Sequence, residues 1–174
     1  MQLLLPLPIA KRLQRELKRA GRKEIGGLLI GEHVRDEVFR IADVSIQHSG
    51  GTDACFIRHP EKHRHDLDAF FARTDKDYER FNYLGEWHSH PSFEPLPSNT
   101  DITTMQSISE DATVGAHFVV LMIVRLSDEH TIDVTATAFR PGVAPMAVQV
   151  SVDSTPANKP NGRLKRWLSA VFRP

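Results

Sequence analysis

The sequence is poor in cysteine and in long apolar runs. Cys55 is the single cysteine among 174 residues, which excludes an internal disulfide framework and a cysteine-rich zinc site and is typical of a reducing compartment. No apolar run approaches the ~18 residues that a membrane-spanning helix requires. The opening MQLLLPLPIAKRL has its charges after the apolar residues, the reverse of a secretory signal peptide. We therefore expect a cytoplasmic protein without a membrane span.

The sequence also lacks an excess of either charge. Lys+Arg and Asp+Glu each total 22, so the whole chain offers no electrostatic argument for binding nucleic acid or a membrane surface. The distribution is uneven, because no acidic residue follows Asp153. Basic residues cluster on the first predicted helix and in the tail: Lys11, Arg12, Arg15, Lys18, Arg19, Lys159, Arg163, Lys165, Arg166 and Arg173. These two basic faces suggest an acidic partner.

Length and composition are those of one ordinary globular domain. Helical and alternating apolar patterns predict helices at 8–20, 60–81 and 98–111, and strands at 26–31, 38–46, 83–87, 117–124, 131–139 and 146–152. The continuous apolar run at 117–124 is the expected buried central strand. We therefore expect a single α/β domain over residues 1–153.

Residues 154–174 are predicted to form a linker and a short, basic, amphipathic helix. The apolar side chains of this segment fall on one helical face: Leu164, Trp167, Leu168, Val171 and Phe172. Such a helix can dock on the domain, contact a partner or lie on a membrane surface. About ten residues is short for stable membrane binding, so docking or partner contact is favoured.

The stretch GEWHSHPSFEPLPSNTD, residues 85–101, contains a candidate metal site. Side chains alternate along an extended strand, so His88 and His90 point to the same side. A helix predicted to begin at Ser98 brings Asp101 back towards them in its first turn. Two imidazole nitrogens and one carboxylate oxygen form a ligand set suited to zinc, with a fourth position open to water.

Hydrolytic chemistry at such a site also needs a general base. The candidates are Glu24, Glu32 and Glu86. Glu86 lies on the same face as His88 in an extended strand, and it remains an alternative to Glu24. Glu32 follows the first predicted strand and is expected to be a solvated turn residue.

Three further histidines and the cysteine are candidates for a second site. A spacing of four places His59 and His63 on one helical face, with His65 nearby. No acidic residue or cysteine completes a convincing ligand set, so we expect these histidines to be exposed helix residues. Cys55 has no histidine at a recognisable spacing, so we expect it in the core.

Two segments together resemble a known motif. HSHP is followed by six residues, a serine, two residues and an aspartate, and EIGGLLIG lies about sixty positions upstream. This arrangement resembles the JAMM motif of the JAB1/MPN/Mov34 metalloprotease family, in which a glutamate opens the first strand. Glu24, Gly27, Leu29 and Gly31 match that half of the motif. YLGEWHSHP looks most like bacterial members that occur beside E1-like and E2-like proteins.

The resemblance implies a single JAB/MPN-type α/β domain, with a mixed central sheet flanked by helices and a likeness to cytidine deaminases. It implies that His88, His90 and Asp101 bind Zn²⁺, that Glu24 is the general acid/base, and that Ser98 hydrogen-bonds the developing oxyanion. The implied activity is hydrolysis of the peptide or isopeptide bond after the C-terminal glycine of a ubiquitin-like protein. E1-like and E2-like proteins are further candidate partners.

Alternative functions share parts of this pattern. Trimming of a short C-terminal extension from a sulfur-carrier protein would use the same site, and Ser98 can also be a plain helix N-cap. A non-catalytic interaction scaffold is typical of relatives that have lost a ligand, whereas all five motif positions are present here. HPSFEPLPSNTD is also similar to part of the RadC DNA-repair-associated family, but the HNHP motif and helix-hairpin-helix region of that family are absent, which disfavours a nucleic-acid partner. The HxE and PCxxC signature of zinc deaminases is absent as well.

Overall fold

The fold is an eight-stranded mixed sheet with helices packed on both faces. The computed structural model describes residues 1–52, 60–128 and 131–153. In chain order its elements are β1 (Gln2–Pro6), α1 (Leu7–Ala20), β2 (Gly26–Arg35), β3 (Val38–Val44), α2 (Pro60–Arg73), β4 (Phe81–Ser89), α3 (Asn99–Glu110), β5 (Val119–Leu126), β6 (Ile132–Arg140), β7 (Val143–Ala147) and β8 (Gln149–Asp153).

The strands are ordered β7-β6-β5-β4-β2-β3-β1-β8 across the sheet. β2 is antiparallel to β3 and β4, β4 is parallel to β5, and β1 is parallel to both β3 and β8. Val148, between β7 and β8, donates its backbone N–H to the carbonyl of Ala136 on β6 at 2.9 Å. The chain therefore crosses from one edge of the sheet to the other, and the sheet is curled. The expected α/β class with a mixed central sheet is confirmed.

Each face of the sheet carries its own apolar cluster. Leu13 and Leu17, one helical turn apart, are the buried residues of α1 and belong to the cluster that contains Trp87. Met105 of α3 is buried on the opposite face and packs in a cluster with Ile123 of β5. Helical spacing of apolar residues thus places α1 and α3 on opposite sides of the central strands.

An irregularity at Gly85 determines which side chains of β4 face α3. Gly85 has a φ of +143°, and a Cβ at this position would lie 2.0 Å from the carbonyl oxygen of Val120, so only glycine fits. The register with β2 shifts opposite this point. Beyond the bulge Trp87 points to the α1 face, and His88, which pairs with Ile123, points to the α3 face.

Most predicted elements are confirmed, with boundaries altered by pairing between distant segments. The helix predicted at 8–20 and the central strand predicted at 117–124 are observed as α1 and β5. The helix predicted at 60–81 ends at Arg73, because Phe81 already begins β4 and pairs with β2. The strand predicted at 146–152 is divided at Val148 into β7 and β8, which lie at opposite edges.

Two strand segments were not predicted. β1 is a short QLLLP run ending in proline, and parallel pairing on both sides with β3 and β8 stabilises it. β2 continues to Arg35, beyond the end of the strand predicted at 26–31. The predicted terminal helix at 164–172, Cys55 and His59 lie outside the described residues. Among the helices that are described, none is long and apolar enough to cross a membrane.

Candidate metal centre

Three potential metal ligands converge beside the C-terminal end of β4. Ligand atoms of His88, His90 and Asp101 all lie within 4.8 Å of one another. The Nε2 atoms of His88 and His90 are 3.1 Å apart, and His88 Nε2 lies 3.7 Å from Asp101 Oδ1. Both imidazoles are buried, with 9% of each residue exposed. The structure thus brings together the three residues that the sequence singles out as ligands.

Backbone pairing on both sides of β4 fixes the two histidines. Ser89, which lies between them, points away from the site, and its buried hydroxyl accepts the N–H of Ile25 at 3.0 Å. The N–H of Ser89 donates to the carbonyl of Ile25 at 2.8 Å, and the N–H of His90 donates to the carbonyl of Val124 at 3.0 Å. His90 is therefore held although it lies one residue beyond the strand.

The protonation of each imidazole favours metal binding. Nδ1 of His90 lies 2.9 Å from the carbonyl oxygen of Glu94, which can only accept, so Nδ1 carries the proton and Nε2 presents its lone pair to the site. Burial lowers the pKa of His88 to about 4, with Asp101 opposing this shift and His90 adding to it. His88 is consequently neutral near pH 7, as a metal ligand must be.

A capping box at the start of α3 orients Asp101. Ser98 is the N-cap, and its hydroxyl accepts the N–H of Asp101 at 3.2 Å. Asp101 Oδ2 in turn accepts the N–H and the O–H of Ser98, both at 2.7 Å. This arrangement uses Oδ2 and leaves Oδ1 facing His88. The interpretation of Ser98 as a helix N-cap is confirmed.

Glu24 lies against the same site, immediately before β2. The register that pairs Gly26 with His88 places Glu24 across the ladder from His90. Only 3% of Glu24 is exposed. Burial, with a smaller contribution from Asp101, raises the pKa of Glu24 to about 6, while His90 acts to lower it. A carboxyl group with this pKa can both accept and release a proton near neutral pH.

The segment that follows β3 holds the backbone of Glu24, which itself lies in the loop before β2. The N–H of Glu24 donates to the carbonyl of Thr52 at 2.9 Å. A Cβ on Gly51 would lie 1.8 Å from the carbonyl oxygen of Glu24, so the close approach of the two segments requires glycine.

The donor set and its spacing fit zinc. Two ligand atoms bound at 2.0–2.1 Å to one tetrahedral ion lie about 3.3 Å apart. His88 Nε2 lies 3.1 Å from His90 Nε2 and 3.7 Å from Asp101 Oδ1, and these two distances bracket this value. Two neutral imidazoles and one carboxylate are also the ligand types that zinc accepts, and three protein ligands leave one position open.

The other candidate bases have different surroundings. Glu32 is buried at the far end of β2 and accepts hydrogen bonds from Arg80 at 2.6 and 2.9 Å and from Arg40 at 2.8 Å. Burial acts to raise the pKa of Glu32, but these hydrogen bonds outweigh it and lower the pKa. The prediction that Glu32 is a solvated turn residue is therefore wrong. Glu86 is half-buried on β4, two residues before His88, and remains an alternative to Glu24.

The prediction that His63 is exposed is also wrong. His63 is only 1% exposed, and its ring lies between Ser45 and Gln47. Gln47 Oε1 can only accept, so the ring proton lies on His63 Nε2, and Nδ1 in this tautomer accepts the hydroxyl proton of Ser45 at 2.7 Å. Ser45 Oγ also accepts the N–H of Leu28 at 2.8 Å. His63 Nε2 donates to Gln47 Oε1 at 3.1 Å. His65, in contrast, has a side chain that is 91% exposed, as expected.

Comparison with known proteins gives the family. The model for prokaryotic homologs of the JAB domain matches residues 6–140. This chain belongs to that family.

Individual proteins are also similar to this chain. A CD-NTase/cGAS isopeptidase from Vibrio cholerae is 36% identical over 80 residues, which is 45% of this chain and 49% of the relative. The chain therefore spans about half the length of the curated relative it matches. The solution structure of a Desulfitobacterium hafniense protein is similar to this chain, with a TM-score of 0.66 and 14% identity. The similarity covers 87% of this chain and 93% of that one, and it supports the fold alone. A JAB1/MPN domain protein from Archaeoglobus fulgidus aligns with a TM-score of 0.45 at 16% identity, over 86% of this chain and 98% of its own.

Proposed function

We propose that this JAB-domain protein is a zinc-dependent isopeptidase that hydrolyses the bond after the C-terminal glycine of a ubiquitin-like protein. The observation that carries the proposal is the convergence of His88, His90 and Asp101 beside the buried carboxyl group of Glu24. The similarity to a Vibrio cholerae protein that is named an isopeptidase supports an isopeptide bond as the bond that is hydrolysed.

The three convergent residues would hold the metal. Zn²⁺ held by His88, His90 and Asp101 would polarise the scissile carbonyl of the substrate and lower the pKa of a water to about 7. The hydrogen bond from His90 to Glu94 and the capping box at Asp101 fix both ligands before the metal binds. Little reorganisation is then needed on binding.

Glu24 would move the proton. Its position opposite His90 and its pKa of about 6 suit a general base that takes a proton from the attacking water. The resulting carboxylic acid then gives this proton to the leaving amine, so that one residue serves both halves of the reaction. Ser98 would donate its hydroxyl proton to the developing oxyanion, for which it must rotate away from Asp101 Oδ2.

The substrate side of the proposal rests on similarity. The resemblance to bacterial JAMM proteins and the isopeptidase relative favour a ubiquitin-like tail, with E1-like and E2-like proteins as partners in the cytoplasm. Removal of a short extension from a sulfur-carrier protein is the same chemistry with a smaller leaving group.

Intact-mass analysis of a panel of ubiquitin-fold proteins tests the proposal. Each substrate carries either a short tail or a folded domain after its terminal glycine, and is incubated with wild type, with Glu24→Gln and with wild type plus chelator. The matched control is Glu110→Gln, which changes an exposed glutamate of α3. We expect cleavage after the glycine by wild type and the control only.

The other outcomes are equally informative. Cleavage of short tails alone would favour sulfur-carrier trimming. Stoichiometric zinc binding without any cleavage would contradict the peptidase and favour an interaction scaffold, and full activity of Glu24→Gln would exclude Glu24 as the base.

A further inference from the structure

The loop between His90 and α3, residues 91–97, is fastened through three consecutive carbonyl groups; we call it the rim loop. The carbonyl of Phe93 accepts from Arg125 Nη1 at 3.4 Å. The carbonyl of Glu94 accepts both from His90 Nδ1 at 2.9 Å and from the N–H of Leu96 at 2.8 Å. The carbonyl of Pro95 accepts from the hydroxyl of Thr135 on β6. One of these carbonyls is therefore the hydrogen-bond partner of a candidate metal ligand.

The two large apolar side chains of the rim loop contribute little to this fastening. Phe93 and Leu96, the large apolar side chains of the rim loop, are 53% and 61% exposed. The loop has no strand or helix of its own. Pro95 is buried and the three prolines restrict the backbone, and the polar contacts that reach the loop from β5 and β6 hold its carbonyl groups in place.

Arg125 makes two of these polar contacts with the rim loop. It lies near the end of β5, and its Nη2 donates to Asp133 Oδ2 at 2.8 Å, directly across the β5–β6 ladder. Its Nη1 donates to Glu94 Oε1 at 2.9 Å as well as reaching the carbonyl of Phe93. The planar guanidinium thus joins the rigid sheet to the loop in a fixed geometry that a lysine cannot reproduce.

We propose that Arg125 is a positioning residue for His90. Arg125 holds Phe93 and Glu94 and so fixes the Glu94 carbonyl. This carbonyl accepts the hydrogen bond from His90 Nδ1 and thereby orients the ring so that Nε2 faces the other ligands. Thr135, which holds the next carbonyl, assists it. This inference rests on the proposed function in that it takes the site to bind zinc.

Zinc affinity and loop order are two separate readouts for this role. Competition with a chromophoric chelator gives the zinc affinity of wild type, Arg125→Gln and Thr135→Val. Hydrogen exchange of the Leu96 amide in the metal-free protein reports the order of the rim loop without any metal. The control is Arg140→Gln, since Arg140 forms a salt bridge with Glu37 away from the loop.

We expect Arg125→Gln to weaken zinc binding about tenfold, the lower end for residues that orient a metal ligand through hydrogen bonds. The Leu96 amide should exchange severalfold faster, and Thr135→Val should change both quantities in the same direction. Arg125→Lys should restore little of the affinity. The control should match wild type in both readouts, and circular dichroism verifies that each variant is folded.

Unchanged zinc affinity together with unchanged Leu96 exchange in folded Arg125→Gln and Thr135→Val would overturn the inference. Faster exchange with unchanged affinity would also overturn it, because Arg125 would then order the loop without acting on His90. Failure of the proposed function looks different, since wild type itself would then bind no zinc or cleave no substrate.

Discussion

Ser98 and Asp101 bond to each other through both backbone and side chain. The Ser98 hydroxyl accepts the N–H of Asp101 and donates to Asp101 Oδ2, which also accepts the N–H of Ser98. The same contacts therefore begin α3 and orient a candidate zinc ligand, so a change at Ser98 affects both folding and chemistry.

Ser98→Ala removes both contacts of the hydroxyl, and two measurements on this variant separate the two roles. Loss of the N-cap hydroxyl should lower the free energy of unfolding by about 1 kcal/mol, measured by urea denaturation of the metal-free protein. If Ser98 also stabilises the oxyanion, kcat should fall about a hundredfold, as for loss of one oxyanion donor. Ser98→Thr keeps the hydroxyl and should recover both properties. A stability loss with unchanged kcat would leave Ser98 a plain N-cap.

Glu24→Gln should stabilise the metal-free protein at neutral pH. The pKa of Glu24 is raised from 4.5 to about 6, so the folded state holds its proton more tightly than the unfolded state does. The stabilisation by this proton is present below pH 4.5 and is lost as the pH rises through 6. Glutamine stays neutral, so the variant should melt higher than wild type above pH 6.

Melting curves of chelated protein between pH 4 and 8 measure this difference. The two curves of melting temperature against pH should converge at low pH and separate above 6. The exposed substitution Glu110→Gln should follow wild type throughout. A constant offset at every pH would show that the titration of Glu24 does not cause the difference.

Glu32→Gln should destabilise the protein substantially. Glu32 is buried between Arg80 and Arg40, and removing its charge leaves two guanidinium groups with weakened partners. We expect a loss of about 2–3 kcal/mol in urea denaturation at pH 7. Since the pKa of Glu32 is lowered, the loss should shrink as the pH falls through that pKa. The exposed pair removed in Arg140→Gln should be worth less than about 1 kcal/mol.

His63→Ala should also destabilise the protein. The substitution leaves the buried hydroxyl of Ser45 and the amide of Gln47 without the imidazole that joins them, at a cost of about 1–3 kcal/mol. His65→Ala removes an exposed imidazole from the same helix and should change stability by less than about 0.5 kcal/mol. Equal effects of the two substitutions would contradict the buried position of His63.

The part of the candidate site that is local in sequence could be predicted. The alternation of His88 and His90 and the capping box that links Ser98 to Asp101 depend only on strand and helix geometry over a few residues. Glu24 lies 64 positions before His88, and only the resemblance to a known motif connected them. Nothing in the local pattern indicated the Glu94 carbonyl or Arg125, since their roles appear only once β5 lies beside the rim loop.

The wrong predictions share one physical cause. The local sequence predicts that Glu32 is solvated, because its partner Arg80 is 48 residues away and reaches it only through the β2–β4 register. The local sequence predicts that His63 is an exposed helix histidine, because its actual partners lie on the segment after β3. In both cases pairing between distant segments buries a polar group that local polarity places at the surface.

The parallel ladder between β1 and β8 also constrains the order of assembly. Gln2 pairs with Gln149 and Pro6 with Asp153, so nearly the whole described chain separates the two partners. Closing so large a loop carries a high entropic cost, and contacts of this kind form late. During synthesis on the ribosome, β1 can acquire β3 as a neighbour early but must wait for almost every other strand before β8 arrives. Until then the outer edge of β1 is an open template for strands of other nascent chains, and rapid completion of β8 protects the protein from aggregation.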